Sequence, residues 1–214
     1  MRSAIALGRK LVMFEVSLYR SLFRWVTRRP DVPVDAAAFA YFGAVAVVVW
    51  AFIIVSAIET AVFHVILPWE VVRLVVDIVS IWGLLWMLGY AASLNVYPHL
   101  VGDAGVRVRN STGTDFTVPW DAIASVSVRE RSRDRSKAVQ VDHGGTGEKG
   151  VPGATVHVVM SSRTNVELRL RRPLVVPLHK GDETVTEVRF FADDARALAN
   201  RVRAHLAQRE QARR

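Results

Sequence analysis

The feature that most constrains this chain is an uncharged apolar run from Ala36 to Ile58, AAAFAYFGAVAVVVWAFIIVSAI. A helix rises about 1.5 Å per residue, so 23 such residues cover the roughly 30 Å hydrocarbon core of a bilayer. Pro30 and Pro33 interrupt any helix arriving from the N-terminal side, and Asp35 is positioned to cap a new one. A second span reads from Leu74 to Leu94, with Trp82, Trp86 and Tyr90 on one face and Asp77 as its single charge. Between the two, Pro68 and Trp69 mark a turn and an interfacial anchor.

Charge orients the hairpin. Seven cations precede the first span (Arg2, Arg9, Lys10, Arg20, Arg24, Arg28 and Arg29), whereas Arg73 is alone between the spans. Positive residues stay on the cytoplasmic side, so both termini are expected there, in an inner cell membrane, with the hairpin tip outside. The first apolar run begins too late and runs too long for a cleaved signal peptide.

Residues 1–35 form a separate amphipathic segment. Leu11, Phe14, Leu18, Leu22, Trp25 and Val26 share one helical face. Arg9, Lys10, Arg20, Arg24 and Arg28 lie opposite and are candidates for contact with a lipid surface. This pattern predicts an interfacial helix in the headgroup plane, although a helix packed on the cytoplasmic domain has the same period. Glu15 interrupts the apolar face.

From Asn95 the period changes from helical to alternating. Strands are predicted over 96–101, 106–109, 116–120, 123–128, 138–141, 154–160, 164–170 and 185–191. Ser161-Ser162-Arg163 reads as a hairpin turn between two of them, and Arg107 and Arg109 read as the solvated face of one strand. A final helix follows, with Asp193 as its N-cap and Ala195, Leu198, Ala199, Val202 and Leu206 as its apolar stripe. The fold class expected is therefore an α+β membrane protein. A transmembrane hairpin (36–94) precedes an antiparallel β-sandwich or barrel (95–214) capped by a C-terminal helix.

Several strands closed by one amphipathic helix resemble the pleckstrin-homology (PH) fold. The segments Gly102-Asp103-Ala104-Gly105-Val106-Arg107-Val108 and Val118-Pro119-Trp120-Asp121-Ala122-Ile123-Ala124-Ser125-Val126 are similar to the opening of bacterial PH-like domains. The whole chain resembles small bacterial two-pass membrane proteins that carry such a domain. The resemblance implies a scaffold or protein-binding module. PH domains that grip phosphoinositides place cations around their first strand–strand loop, and here Asn110 to Asp115 has none.

Candidate chemistry is sparse. The run Arg129, Arg131, Arg133, Arg135 and Lys137 offers cations to lipid phosphates. The Gly-rich stretch after Asp142 lacks the order of a phosphate loop. Glu59, His64, Glu70, Arg73 and Asp77 gather near the outer end of the hairpin, where ionisable groups default to functional candidates. Arg73 and Asp77, four residues apart, are positioned to neutralise each other. The other histidines lack ligand spacing, and the chain has no Cys. Neither metal nor cofactor is expected, and no nucleophile–base arrangement is evident.

The net charge of +8 suits an anionic partner, but 24 of the 28 cations are Arg, as GC-rich coding alone produces. Nucleic acid is not expected as a partner, since no stacking set accompanies the charge. The expected function is a membrane-anchored interaction or scaffold protein without catalysis. Its partners would be the bilayer and either another membrane protein or a second copy. The alternative is a small transporter or sensor subunit that uses the charged outer cluster.

Overall fold

A computed structural model describes residues 2–133, 137–146, 152–178 and 181–212. The chain divides into two units. The first comprises residues 1–30 and 45–96, and the second 31–44 and 97–214.

The first unit is helical. Helix α1 spans Arg2–Val26, α2 spans Gly43–Ile66 and α3 spans Glu70–Val96. Helices α2 and α3 are long and apolar enough to cross a membrane, and at 24 and 27 residues they extend about 36 and 40 Å. Almost none of either span is buried. A core helix of a water-soluble protein would bury that surface, whereas Val47, Phe52, Ile54, Val75, Ile78 and Ile81 are all more than half exposed. Helices α1 and α3 lie side by side in the same direction. Phe14 meets Trp86 with ring centroids 6.2 Å apart, and a Cβ on Gly89 would come within 3.1 Å of Leu18. Leu18 and Ser21 are fully buried, so part of the apolar face of α1 is taken up by α3.

The start of the first span differs from its sequence reading. Residues 37–39 are not helical; they form strand β1 (Ala37–Phe39), which pairs antiparallel with β2 (His99–Gly102). Asp35 therefore caps no helix at that point, and the membrane-length helix begins at Gly43 rather than Ala36; its outer end, which the sequence leaves open between Ile58 and Leu67, lies at Ile66. A run of small and aromatic residues satisfies either state locally, and here the free edge of β2 supplies hydrogen-bond partners that decide for the strand. The second span likewise runs 70–96 rather than 74–94, with Pro68 in the break between helices.

The second unit holds two sheets and one helix. The first sheet has the order β1-β2-β3-β4, with β3 at Gly105–Asn110 and β4 at Thr114–Pro119. The second contains β5 (Ile123–Ser132), β6 (Val139–Thr146), β7 (Pro152–Val158), β8 (Arg163–Leu178) and β9 (Gly181–Phe190), in the order β5-β8-β9-β7-β6. Helix α4 (Ala195–Gln211) completes it. The inner faces of both sheets share one core with α4. Val106, Val118, Ile123, Leu168, Phe190 and Leu198 are among its buried members, each worth roughly 1.5–3 kcal/mol when fully buried. The architecture is thus α+β, with largely antiparallel sheets and a C-terminal helix, but the sheets are not closed as a barrel.

Two further expectations are corrected. The turn at Ser161-Ser162 forms, both residues having positive φ, and Met160 bridges Arg163. Yet β7 and β8 are not neighbours, because β9 lies between them and pairs parallel with β7 and antiparallel with β8. The N-cap of α4 is Asp194, whose carboxylate accepts from the Ala197 amide at 2.8 Å. Asp193 instead accepts from the Gly43 amide at 3.0 Å, and its own amide donates to the Ala40 carbonyl.

Candidate functional site

The chemistry of the second unit gathers on the outer face of the five-stranded sheet. Strand alternation sends Val166, Leu168 and Leu170 of β8, Val156 and Val158 of β7, and Val188 and Phe190 of β9 into the core. The intervening residues must face the other way. Register then aligns them in two rows. Glu167 stands opposite Arg189, Arg189 opposite His157, and His157 opposite Gln140. In the next row Arg169 stands opposite Glu187, Glu187 opposite Thr155, and Thr155 opposite Asp142. Opposite charges therefore face each other across β8 and β9, the favourable cross-strand arrangement.

Glu167 is the centre of this face and is only 2% exposed. Arg169 lies 3.1 Å from it, Arg189 3.5 Å and Arg131 of β5 3.7 Å. Burial pushes its carboxyl upward, but the contact with Glu187 and the Arg189 and Arg169 cations outweigh that, and Glu167 is held below the usual carboxylate range. It is consequently ionised and engaged, not poised to exchange protons. Arg189 also binds Glu187 through two nitrogens, at 2.9 and 3.0 Å.

His157, 1% exposed, lies at the other end of the row. Burial and the Arg133 and Arg189 cations depress its pKa to about 4, against a partial opposing pull from Asp142. It is neutral at physiological pH, with Nε2 3.4 Å from Asp142. Arg133 binds the Asp142 carboxylate and lies 3.5 Å from the Gln140 side-chain carbonyl. Four guanidiniums, three carboxylates and a neutral imidazole make a polar face of paired charges.

A second polar centre fixes the 31–44 segment. Arg109, expected on a solvated face, has a fully buried side chain. The reason is that residues 31–44 fold over that side of β3. Its guanidinium donates to the Asp31 carbonyl and carboxylate at 2.9 and 3.1 Å and sits 5.9 Å from the Tyr97 ring centroid. Beside it, the Arg109 amide donates to His99 Nδ1 while His99 Nε2 donates to the Phe191 carbonyl. An amide can only donate and a carbonyl can only accept, so this environment selects one neutral tautomer. Burial, with a smaller push from Arg109, lowers His99 to about 4, although the Phe191 carbonyl opposes that shift. Tyr41 packs on the His99 ring at 4.7 Å and accepts from the Ser111 amide.

The sequence-derived candidates fare differently. His64 and Asp77 come together at 2.7 Å, so the partner of Asp77 is His64 rather than Arg73. Glu59 and Glu70 are exposed on their helices. Arg131 and Arg133 belong to the sheet-face network, and Arg135 lies outside the described residues. Arg9 and Arg20 are exposed on α1; Lys10 is on the same helix, with its side chain outside the described set. Arg24 and Arg28 line a cavity at the end of α1. Among the described residues no group of three or more His, Asp or Glu is placed to hold a metal ion.

Glu167, Glu187, Arg169, Arg189, His157 and Asp142 were not singled out from sequence. A signal was present: Glu-Leu-Arg in β8 and Glu-Val-Arg in β9 repeat one Glu-x-Arg spacing. Only antiparallel pairing of the two strands makes it complementary. No family model, curated protein or solved structure matches this chain.

Proposed function

We propose that this chain is an integral membrane protein that holds a β domain at the cytoplasmic leaflet as an interaction or scaffold module, without catalysis of its own. The observation that carries this reading is the pair of membrane-length helices whose apolar side chains are exposed, joined to a unit with its own core. The cations before Pro30 favour cytoplasmic termini by the positive-inside rule. The charged face centred on Glu167 is the docking surface, and its partner is another membrane protein or a second copy.

Kinship with PH-like domains is part of this proposal. It is supported by the sheet-then-helix order and the Gly102–Val108 and Val118–Val126 segments. The open sheets and the parallel β7–β9 pair depart from it. An experimental structure of the full chain in a nanodisc decides the matter, since a closed barrel would favour the kinship and open sheets would oppose it. A second reading, a sensor or transport subunit, is favoured by the His64–Asp77 pair.

Reporter fusions at residues 1, 68 and 214 test the topology. Cytoplasmic activity at 1 and 214 with external activity at 68 is expected, and an external C-terminus ends the scaffold reading. Crosslinking in native membranes, followed by mass spectrometry, should capture peptides through β8 or β9. A wild-type phenotype for His64→Ala with Asp77→Asn would remove the second reading.

A further inference from the structure

The ends of α1 and α3 border an open cavity of about 500 Å³ lined by Arg24, Trp25, Arg28, Arg29 and Asn95, among others. That volume lies in the range of small-molecule sites. Three of its residues are arginines within a six-residue stretch, and among the described residues no carboxylate pairs with Arg28 or Arg29.

The backbone here is informative. The Arg29 amide donates to the Arg24 carbonyl and the Arg28 amide to the Trp25 carbonyl, which closes α1 in a Schellman turn. That turn requires a left-handed residue, and Arg28 occupies it with φ of 53°. Helices ordinarily place Gly or Asn there, because a Cβ disfavours the conformation. Arg28 thus adopts a conformation its Cβ disfavours, and its side chain is one of three arginines that line this cavity.

The surroundings point to the ligand. Trp25 meets Trp50 of α2 in a tilted ring contact, with ring centroids 6.2 Å apart. Tryptophans mark headgroup depth in membrane proteins, and the cavity reaches Val96, the last residue of membrane-length helix α3. Guanidiniums bind phosphate oxygens with charge-assisted, often forked, hydrogen bonds. Helix C-termini repel anions through their carbonyl ends, so the arginines must supply the attraction.

We propose that this cavity binds the phosphate headgroup of an anionic phospholipid, held by Arg28 and Arg29 beside Trp25. The site rests on the membrane reading above and makes it specific: α1 grips one class of lipid instead of merely being attracted to negative charge.

The test is native mass spectrometry of the detergent-purified full chain with phosphatidylglycerol or phosphatidylcholine added. Wild type should retain phosphatidylglycerol over phosphatidylcholine by about tenfold, and Arg28→Gly combined with Arg29→Gln should lose most of that preference. Arg28→Gly suits the left-handed turn, so the helix end is retained. Arg9→Gln, on α1 but outside the cavity lining, should behave as wild type. Equal loss with Arg9→Gln would show diffuse attraction and overturn the site, as would unchanged retention in the double variant. Full competition by inorganic phosphate would overturn the lipid assignment. Alkaline carbonate washing of native membranes separates the two levels. Release of the wild-type chain defeats the membrane reading and the site together. A chain that stays embedded while its double variant still selects phosphatidylglycerol defeats the site alone.

Discussion

The buried guanidinium of Arg109 donates to both the main-chain carbonyl and the carboxylate of Asp31, 78 residues earlier in sequence. This contact and the β1–β2 ladder sew the 31–44 segment onto a unit whose other residues begin at Tyr97. Replacing Arg109 by Ala removes a cation and leaves acceptors with no donor. A loss of about 3–5 kcal/mol is expected, read from chemical denaturation of the β unit within the full chain. Asp31→Asn keeps the main-chain acceptor and should cost less. Equal effects would show that the carboxylate, not the carbonyl, dominates.

Stability should fall with acid because of His99. Its folded pKa is about 4 against an ordinary 6.5, so between these values the unfolded chain binds the extra proton. The contribution is complete above pH 6.5 and is lost as pH drops toward 4, with a limit on the order of 3 kcal/mol. His157 acts in the same direction, and Glu167, held low, adds a loss below its unfolded pKa. Thermal melts from pH 7.5 to 4 should show this descent. A flat profile would mean that the fold does not hold His99 neutral, because a proton on Nδ1 necessarily breaks its bond from the Arg109 amide.

Glu15 lies on α1 with its carboxylate accepting from Trp82 Nε1 at 2.7 Å and from the Tyr19 hydroxyl at 3.0 Å. Its interruption of the apolar face is therefore answered by neutral donors. Trp82→Phe should weaken α1–α3 association by about 1–3 kcal/mol, the worth of a hydrogen bond to a charged group. A double-mutant cycle with Glu15→Leu should show clear non-additivity, measured by unfolding in mixed micelles. Additive effects would place the two side chains apart.

Gly89 lets α1 approach α3, since a Cβ there would meet the Leu18 main chain at 3.1 Å. Gly89→Leu should drive the helices apart. The chain contains no Cys, so Phe14→Cys with Trp86→Cys gives a clean crosslinking pair at the observed ring contact. Efficient crosslinking by a short thiol-reactive bifunctional reagent is expected with Gly89, and sharply reduced crosslinking with Leu in its place.

Removing the carboxylate at the centre of the sheet face leaves Arg131, Arg169 and Arg189 facing one another. Glu167→Leu should destabilise the unit by about 2–4 kcal/mol, with partial recovery at high salt as the cations are screened. Glu167→Gln, which keeps hydrogen-bond capacity, should be milder. Denaturation midpoints at two ionic strengths check both.

Much of the layout could be read along the chain. Apolar length announced two membrane-length helices, and period-two alternation located β3, β4 and the core residues of β8 and β9. Elsewhere local pattern fits two answers, and the tertiary structure selects one. Ala37–Phe39 suits a helix or a strand, and the edge of β2 chose. Asp193 and Asp194 are both good caps, and the Gly43 amide claimed the first. Arg109 alternates as a wet residue does, until residues 31–44 cover it. The sheet-face network was hidden because its members come from five strands, and side-chain spacing carries no information on which strands adjoin.

What the residue order determined by itself was how apolar surface is distributed: which stretches are long enough for lipid, and which alternate enough for a sheet. Those are properties of one to two dozen consecutive residues, fixed by helix rise and strand period. Only tertiary structure decided that β9 separates β7 from β8, that Glu167 gathers three arginines, and that Arg24, Arg28 and Arg29 share a cavity with Asn95. Each depends on hydrogen bonds or packing between residues distant in sequence, and such pairings are chosen by competition across the whole fold.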